Sequence, residues 1–566
     1  MRELTTLLIC GLLVLDSAAA NGQKPNIVLI MGDDMGYSDI GCYGSEIATP
    51  ALDQLARNGL RFTQFYNTSR CCPTRAALLT GLYSHQAGIG LMEGNHGWPG
   101  YRGTLNKRSV TIAETLRATG YRTYMSGKWH VASNKNPKGD ISAWPIQRGF
   151  DRFYGTITGA GSFYDPATLC RGNTYITPEN DPEYKPKSYY YTDAVSDNAA
   201  TFIANHAEDN GSAAKPFFLY VSYTCAHWPM HAPEEDVAKY KGVYDQGYPP
   251  IREARYKKAI ELGVTEKRWP LSKGLSWENF EHKAWDIRCM EVYAAMVERM
   301  DRGIGKIVDE LKKQSRLENT IVIYLQDNGG CAEGYGRQNN SDKKDRFKFK
   351  AFGPNDLQSK IWPPMQTRDG RWVRTGPETM PGGEDTFVAY GPGWANASNT
   401  PFRGYKHDPY EGGIGTPFIV HWPKGIASER NGKIVHDPTH LIDLMPTFVE
   451  AASATYPVEH AGEKIQPMEG ISLLPTLAGK KLERKAPLGF EHHGNLALRE
   501  GKWKIVSMYR GKESRKWELY DMDADRTEQN NLGGKMPEKL NAMVAQWQKW
   551  ADRVGVQPWP IQRKRN

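Results

Sequence analysis

Residues 26–34 read Asn-Ile-Val-Leu-Ile-Met-Gly-Asp-Asp, five apolar side chains running into a glycine and two carboxylates. An unbroken apolar run of this length predicts a strand buried on both faces, as in a parallel or mixed sheet covered by helices. Three later stretches have the same shape. Tyr121 to Met125 precedes Ser126-Gly127-Lys128-Trp129-His130, Phe217 to Tyr223 precedes Thr224-Cys225-Ala226-His227-Trp228-Pro229, and Thr320 to Leu325 precedes Gln326-Asp327-Asn328-Gly329-Gly330. Helix signals fill the intervals. Thr49-Pro50 opens a helix that stops near Gly59, Thr111-x-x-Glu114 is a capping box for one ending at Gly120, and Trp285 to Leu311 keeps helical spacing through Met296, Met300 and Ile304. The expected fold class is α/β, a large mixed, mostly parallel sheet covered by helices. Ligands of such sheets sit beyond the carboxyl ends of the strands, which is where both Asp-containing pairs, Lys128, His130 and His227 fall.

The chain has 566 residues, enough for one large domain with an accessory or for two or three smaller ones. Hydrophobic residues at 39%, charged residues at 24% and a mean hydropathy of −0.61 describe an ordinary globular protein. Lysine and arginine outnumber the acids 72 to 64, a net +8 too dilute to argue for nucleic acid, and no basic stripe interleaved with aromatics supports that partner. Leu7 to Leu15 is a short apolar run leading to Ala18-Ala19-Ala20, the pattern of a secretory signal over residues 1–20. No stretch reaches the ~20 apolar residues of a spanning helix. The expectation is an exported protein, periplasmic or extracellular, without stable membrane insertion. Export implies an oxidising compartment in which thiols tend to pair, yet beyond Cys10 there are seven cysteines, an odd number.

Between Cys331 and Phe402 the pattern dissolves into Gly, Pro, Lys and Trp, longer than a usual connection and expected to wall a pocket. Past residue 480 the text becomes short and strand-like. Gly494 to Leu498, Lys502 to Tyr509 and Trp517 to Met522 predict a small antiparallel sheet, followed by an amphipathic helix over Pro537 to Val554. The expected division is a catalytic domain over 21–480 and a C-terminal α+β subdomain over 481–566.

Asp33, Asp34, Asp327 and Asn328 follow two predicted strands that are distant in sequence and able to be neighbours in the sheet. Three carboxylates brought together repel unless a cation sits among them, and an all-oxygen set suits Ca²⁺ or Mg²⁺ rather than zinc. Either pair alone reads equally well as a turn after a strand. Cys71-Cys72-Pro73-Thr74-Arg75-Ala76-Ala77-Leu78-Leu79-Thr80-Gly81 predicts a helix with proline in its first turn and glycine at its close. Cys71 would stand at the helix N-terminus, an anion site, with Arg75 one turn on and on the same side.

Cys-x-Pro-x-Arg followed by Ala-Ala-Leu-Leu-Thr-Gly resembles the hallmark of the sulfatase family, whose first cysteine is oxidised to Cα-formylglycine. NIVLIMGDDMGYSDIGCYG, GKWH at 127–130, AHWP at 226–229, DNGG at 327–330, PFRGYKHDPYEGGIGTPFIVHWP from Pro401 and WELYDMDADRTEQNNL near the C-terminus extend the resemblance over most of the chain. The resemblance implies an alkaline-phosphatase-like fold and hydrolysis of sulfate monoesters, aryl sulfates or sulfated carbohydrates, and is closest to cysteine-type arylsulfatases. It makes Cys71 the formylglycine precursor, matured by a formylglycine-generating enzyme. Asp33, Asp34, Asp327 and Asn328, with the modified Cys71, become ligands of a metal, calcium with magnesium as the alternative. Arg75, Lys128, His130, His227 and Lys406 complete the pocket. In the implied chemistry a hydrated aldehyde offers two hydroxyls, one to attack sulfur and one to expel sulfate, whereas a serine would be trapped as its ester. Arg75, Lys128 and Lys406 would stabilise the sulfuryl oxygens, His130 would serve as base and His227 as acid. Two other readings stay open: a phosphonate or phosphodiester hydrolase on the same scaffold, and a non-catalytic binder of sulfated glycans. Cys72 has no assigned role. His231, His407, His492 and His493, and Trp98, Trp362, Trp372 and Trp394, read as ordinary surface or packing residues, and Lys343-Lys344 and Arg563-Lys564-Arg565 as solvated charge.

Overall fold

The computed structural model describes residues 23–209, 211–278, 280–339, 349–511, 513 and 515–563. The expected leader, Lys343-Lys344 and Lys564-Arg565 lie outside the described residues. The main sheet is built from β1 (Asn26–Gly32), β2 (Leu60–Tyr66), β3 (Arg122–Gly127), β4 (Arg152–Thr156), β5 (Leu169–Arg171), β6 (Thr174–Tyr175), β7 (Phe217–Ser222), β8 (Thr320–Gln326), β9 (Gly415–His421), β10 (Ile434–Val435) and β11 (Thr439–His440). Its order is β10-β2-β9-β8-β1-β7-β3-β4-β5-β6, with β11 also pairing β2. β8, β1, β7, β3 and β4 run parallel to one another. β9 is antiparallel to both β8 and β2. Every residue of β1, β7, β8 and β9 is buried, which explains why their sequences are unbroken apolar runs rather than alternating ones.

Two features of this topology position a site. Gly32 of β1 pairs with Gln326 of β8, so Asp33 and Asp327 leave adjacent parallel strands at the same level. Gly127 of β3 pairs with Ser222 of β7, which puts Lys128 and the segment leading to His227 on that same edge. Because β9 is antiparallel, its beginning lies on this edge too, and the loop before it delivers Lys406. Glycines permit the crowding. Gly127 has φ +117°, and a Cβ there would lie 2.0 Å from the Ser222 carbonyl oxygen. At Gly329 a Cβ would meet the Gly412 carbonyl oxygen at 1.8 Å.

Helices flank the sheet where the sequence signals them. Thr111 caps the helix Ile112–Arg117 through a full capping box with Glu114. The long helix Lys283–Lys313 and the helix Tyr191–Glu208 pack on one face. The helix Cys71–Thr80 is buried at every position and closes on Gly81 at φ +67°.

The C-terminal sheet has four strands, β14 (Leu488–His492), β15 (Asn495–Glu500), β16 (Trp503–Ser507) and β17 (Glu518–Asp521), in that order. The first of these escapes the sequence reading, since Leu-Gly-Phe-Glu-His carries a glycine and alternates only weakly. The helix Pro537–Val554 covers it, with Gly489 leaving room for the Trp550 ring. This layer shares one continuous apolar cluster with the Cys71–Thr80 side of the main sheet, through Tyr66, Leu79, Phe490 and Trp550.

Pairing of thiols is not what the structure shows. Cys42, Cys71, Cys72, Cys170, Cys225, Cys289 and Cys331 are all free and all buried. Cys42, Cys72, Cys170, Cys225 and Cys289 belong to the apolar clusters and pack as small hydrophobes, and Cys331 donates its thiol to Glu333 Oε2 at 3.1 Å, so none of these needs a disulfide partner. Cys72, on the core side of its helix, is one of these.

A wholly buried ion network ties the C-terminal sheet to the β9 approach. Lys504 Nζ lies 2.9 Å from Glu411 Oε1 and 2.8 Å from Glu528 Oε1, and Arg526 Nε donates to Glu411 Oε2 at 2.8 Å. Removing the lysine leaves two buried carboxylates facing each other. Lys504→Met is expected to cost about 3–5 kcal/mol in denaturant unfolding, whereas Lys480→Met on the exposed surface should change stability by under about 0.5 kcal/mol.

Candidate active site

Asp33, Asp34, Asp327, Asn328, Arg75, Lys128 and Lys406 are brought together at the carboxyl edge of the sheet, all almost fully buried. Arg75 reaches across from its helix and donates Nη2 to Asp327 Oδ2 at 2.9 Å, with Asp33 Oδ2 at 3.4 Å. Its Nη1 holds Ser222 Oγ, which itself donates to the Lys128 carbonyl at 2.7 Å. Lys128 Nζ is bonded to Asp33 Oδ2. Lys406 Nζ donates to Asp34 Oδ2 at 2.8 Å, and Asn328 Nδ2 to Asp34 Oδ1 at 2.7 Å. The Asp34 backbone, at φ +59°, turns its N–H to Asp327 Oδ1 at 3.2 Å.

Cys71 opens its helix with no side-chain cap on the preceding Arg70, so the first N–H groups of the helix are not taken by a cap. Burial pushes its thiol up, with Asp327 adding to it, while the charges of Lys128, Lys406 and Arg70 pull it down.

Titration follows from this crowding. Burial, reinforced by Asp327, drives Asp33 well above the usual carboxylate range against the pull of Lys128 and Arg75. Burial acts on Asp34 in the same direction, but Lys406 and His227 outweigh it and hold Asp34 below its ordinary value. Burial, then Lys128, Lys135 and Arg75, keeps His130 neutral. His227 is pushed down to about 3, mainly by burial, with Lys406 and Lys128 adding to it and Asp34 opposing.

The donor set fits a hard cation. Asp33 Oδ1 and Asn328 Oδ1 are buried and have no hydrogen-bond partner. His227 Nδ1 lies 2.7 Å from the Trp228 carbonyl oxygen, which only accepts, so this nitrogen carries the hydrogen and Nε2 the lone pair. That lone pair faces Asp34 Oδ2 at 3.4 Å, an arrangement only a proton or a cation relieves. Oxygen atoms from three carboxylates and one amide are the ligands that Ca²⁺ or Mg²⁺ takes.

His130 is near this group and not part of its ion pairs. Its Nε2 is 3.7 Å from Glu93 Oε2, its Nδ1 has no partner, and its backbone stands at φ +55°.

Glu333 escapes the sequence reading. It lies in the long segment after Cys331, and its Oε2 accepts from Lys406 Nζ at 3.2 Å and from Trp228 Nε1 at 3.1 Å. Its Oε1 accepts from Arg70 at 2.8 Å and lies 3.2 Å from His407 Nε2. Burial would raise it, but Lys406, His407 and Arg70 hold it far below the ordinary range. The same segment adds Tyr335 and Phe387, which pack on Trp228 beside His227, so it runs along one side of the site. Nothing in the local text distinguishes Glu333 from other loop acids; only its closeness to Gly329-Gly330 points there. Of the remaining histidines and tryptophans, His231 is bonded to the Thr386 carbonyl and Trp394 to that of Asp286, both as packing residues.

A family model described as Sulfatase matches residues 25–454, and one described as N-sulphoglucosamine sulphohydrolase, C-terminal, matches residues 405–551. The arylsulfatase of Klebsiella aerogenes is 32% identical over 484 residues, covering 83% of this chain and 96% of its own length. Human arylsulfatase A is 27% identical, covering 94% of this chain and 89% of its own. Ps i-CgsB, solved in complex with k-i-k-neocarrahexaose, has a TM-score of 0.59 at 24% identity, covering 94% of this chain and 93% of that one. BT4656, solved with its substrate D-glucosamine-2-N,6-O-disulfate, has a TM-score of 0.60 at 20% identity, covering 96% of this chain and all of that one (100%). The fold and these likenesses define a sulfuric ester hydrolase. The chain belongs to the sulfatase family.

Glu333 shares Lys406 Nζ with Asp34 and so positions that lysine. Glu333→Gln is expected to lower kcat for an aryl sulfate by about 10–100-fold, the range for partners that orient site residues, with little change in thermal unfolding.

Proposed function

We propose that the protein hydrolyses sulfate monoesters, aryl sulfates or sulfated carbohydrates, through a formylglycine made from Cys71 and with calcium held by Asp33, Asp34, Asp327 and Asn328. The observation that carries this reading is the cluster of buried acids at the ends of β1 and β8, paired with Lys128, Lys406 and Arg75, the last reaching them from the helix that Cys71 opens. Oxidation of Cys71 supplies an aldehyde whose hydrate has one hydroxyl to attack sulfur and one to drive out sulfate. A divalent ion supplies positive charge for the attacking hydroxyl and a sulfuryl oxygen.

The chain's own residues do the rest. Arg75 fixes Asp33 and Asp327 relative to each other, and Ser222 fixes Arg75. Lys128 and Lys406 bind the sulfuryl oxygens of the ester. His227, anchored through its Nδ1 hydrogen on the Trp228 carbonyl, turns the Nε2 lone pair into the site and must first take up a proton there before it can serve the leaving oxygen as acid. His130, kept neutral, accepts a proton at its unpartnered Nδ1 when the second hydroxyl loses it.

Sulfated sugars are supported as a substrate class by what the two structural neighbours bind, k-i-k-neocarrahexaose and D-glucosamine-2-N,6-O-disulfate. Export through the leader at 1–20 is part of the same reading, resting on the apolar run and Ala18-Ala19-Ala20. Among the described residues no helix is long and apolar enough to cross a membrane.

Mass analysis of the tryptic peptide containing Cys71, from material made with a formylglycine-generating enzyme, should give the aldehyde; a thiol alone together with absent turnover points to a binder. Cys71→Ala should lower kcat by about a thousandfold or more, and Cys71→Ser should stall as a sulfated protein. Chelation should abolish turnover and Ca²⁺ restore it. Faster turnover of an aryl phosphodiester than of the aryl sulfate at matched concentration would replace this reading with the diesterase.

A further inference from the structure

Where the Lys406 loop meets the C-terminal sheet, three histidines converge. One ring nitrogen each of His407, His492 and His493 lies within 4.8 Å of the other two. The two segments are tied together, because Asn495 Nδ2 donates to the His407 carbonyl at 3.2 Å. His492 and Asn495 close the β14–β15 hairpin, and the turn residues His493 and Gly494 have φ +54° and +74°. His493 lies between two near-parallel rings, His492 at 4.3 Å and Trp559 at 4.8 Å, so one imidazole has to turn about its Cβ–Cγ bond for the lone pairs of His492 and His493 to meet at one point.

His492 is the informative member. It is 2% exposed, and neither of its ring nitrogens has a hydrogen-bond partner. A buried polar group without a partner is destabilising, so an imidazole serving only as packing is a poor choice there. The cluster is also in the right protonation state to ligate. Burial first, then His493 and His407, keeps His492 well below its ordinary value, and burial with His407 and Arg70 pushes His493 down to about 4. His407 Nε2 has Glu333 Oε1 at 3.2 Å, the kind of carboxylate contact that orients metal-bound imidazoles. Arg70 bonds that same nitrogen, and metal uptake gives up this one contact while Arg70 keeps Glu333 at 2.8 Å.

We infer that His407, His492 and His493 form a second metal site, separate from the oxygen-lined one, for a borderline divalent ion such as Zn²⁺, Ni²⁺ or Cu²⁺. Three imidazoles suit these ions and not Ca²⁺, and three protein ligands leave a coordination position open. Glu333 is shared with Lys406, so an ion on the histidines adds positive charge to the wall of a pocket that takes anionic esters. The inference stands on the histidine geometry and not on the formylglycine reading.

The test uses the full, untagged chain saturated with Ca²⁺ and Co²⁺ as the probe, read by equilibrium dialysis and visible absorption. The expected result is one Co²⁺ per chain with the ligand-field bands of a nitrogen-bound ion, displaced by Zn²⁺. His493→Ala and His492→Ala should each weaken binding by about tenfold or more, with near-ultraviolet circular dichroism unchanged in at least the turn variant, His493→Ala. No bound Co²⁺ in the wild-type chain, or equal affinity in both variants, overturns the assignment.

Discussion

Three buried carboxylates at the ends of two neighbouring strands repel one another, and the arrangement of the rest of the site answers that repulsion. Asp33, Asp34 and Asp327 are met by Lys128, Lys406 and Arg75, one from each of three separate parts of the chain. Removed from water, such charges are tolerated only when paired and hydrogen-bonded. The sheet order is therefore a condition of the chemistry: β1 and β8 must be adjacent to bring the acids together, β3 must end on the same edge to supply Lys128, and β9 must run the other way so that its leading loop supplies Lys406.

The C-terminal layer takes part in this through the same loop. Glu411 begins the short turn of helix that feeds β9, five residues after Lys406, and is clamped by Lys504 of β16 and by Arg526. Tyr66, at the end of β2 and just before the Cys71 helix, donates to the same carboxylate at 3.1 Å. A single buried acid thus links the strand that leads to Cys71, the loop that carries Lys406 and the sheet that follows the catalytic core. Asn495, bonding the His407 carbonyl, adds a second tie from the C-terminal sheet to that loop.

Much of the fold was legible because its central strands are buried on both faces. Such strands are written as runs like NIVLIM and TIVIYL, and their ends are punctuated by the polar residues that matter. The helix over Pro537–Val554 was legible from its amphipathic pattern, and the Ile112–Arg117 helix from its capping box. β14 was not, because Gly489 is there to admit Trp550, a contact from sixty residues later that no local pattern encodes. The pocket residues that follow strands could be nominated from position alone. Glu333 could not, since its role comes from four partners, Arg70, Trp228, Lys406 and His407, scattered over the chain. The thiols misled for a related reason: an odd cysteine count says nothing about the niche each sulfur finds, which is apolar for Cys42, Cys72, Cys170, Cys225 and Cys289 and beside the Glu333 carboxylate for Cys331.

The charge balance of the site bears on how it handles an anion. Three carboxylates against three cations leave the core of the pocket neutral, and both nearby histidines are held uncharged. Lys128 and Lys406 are engaged with Asp33 and Asp34, so neither ammonium is free for a sulfuryl group while those carboxylates have no other partner. A cation held by the carboxylates would weaken both ion pairs, and Asp33 Oδ1 and Asn328 Oδ1 are the buried oxygens without a hydrogen-bond partner on that side. Glu333 competes with Asp34 for the same Lys406 ammonium, so the two acids together decide where that charge rests.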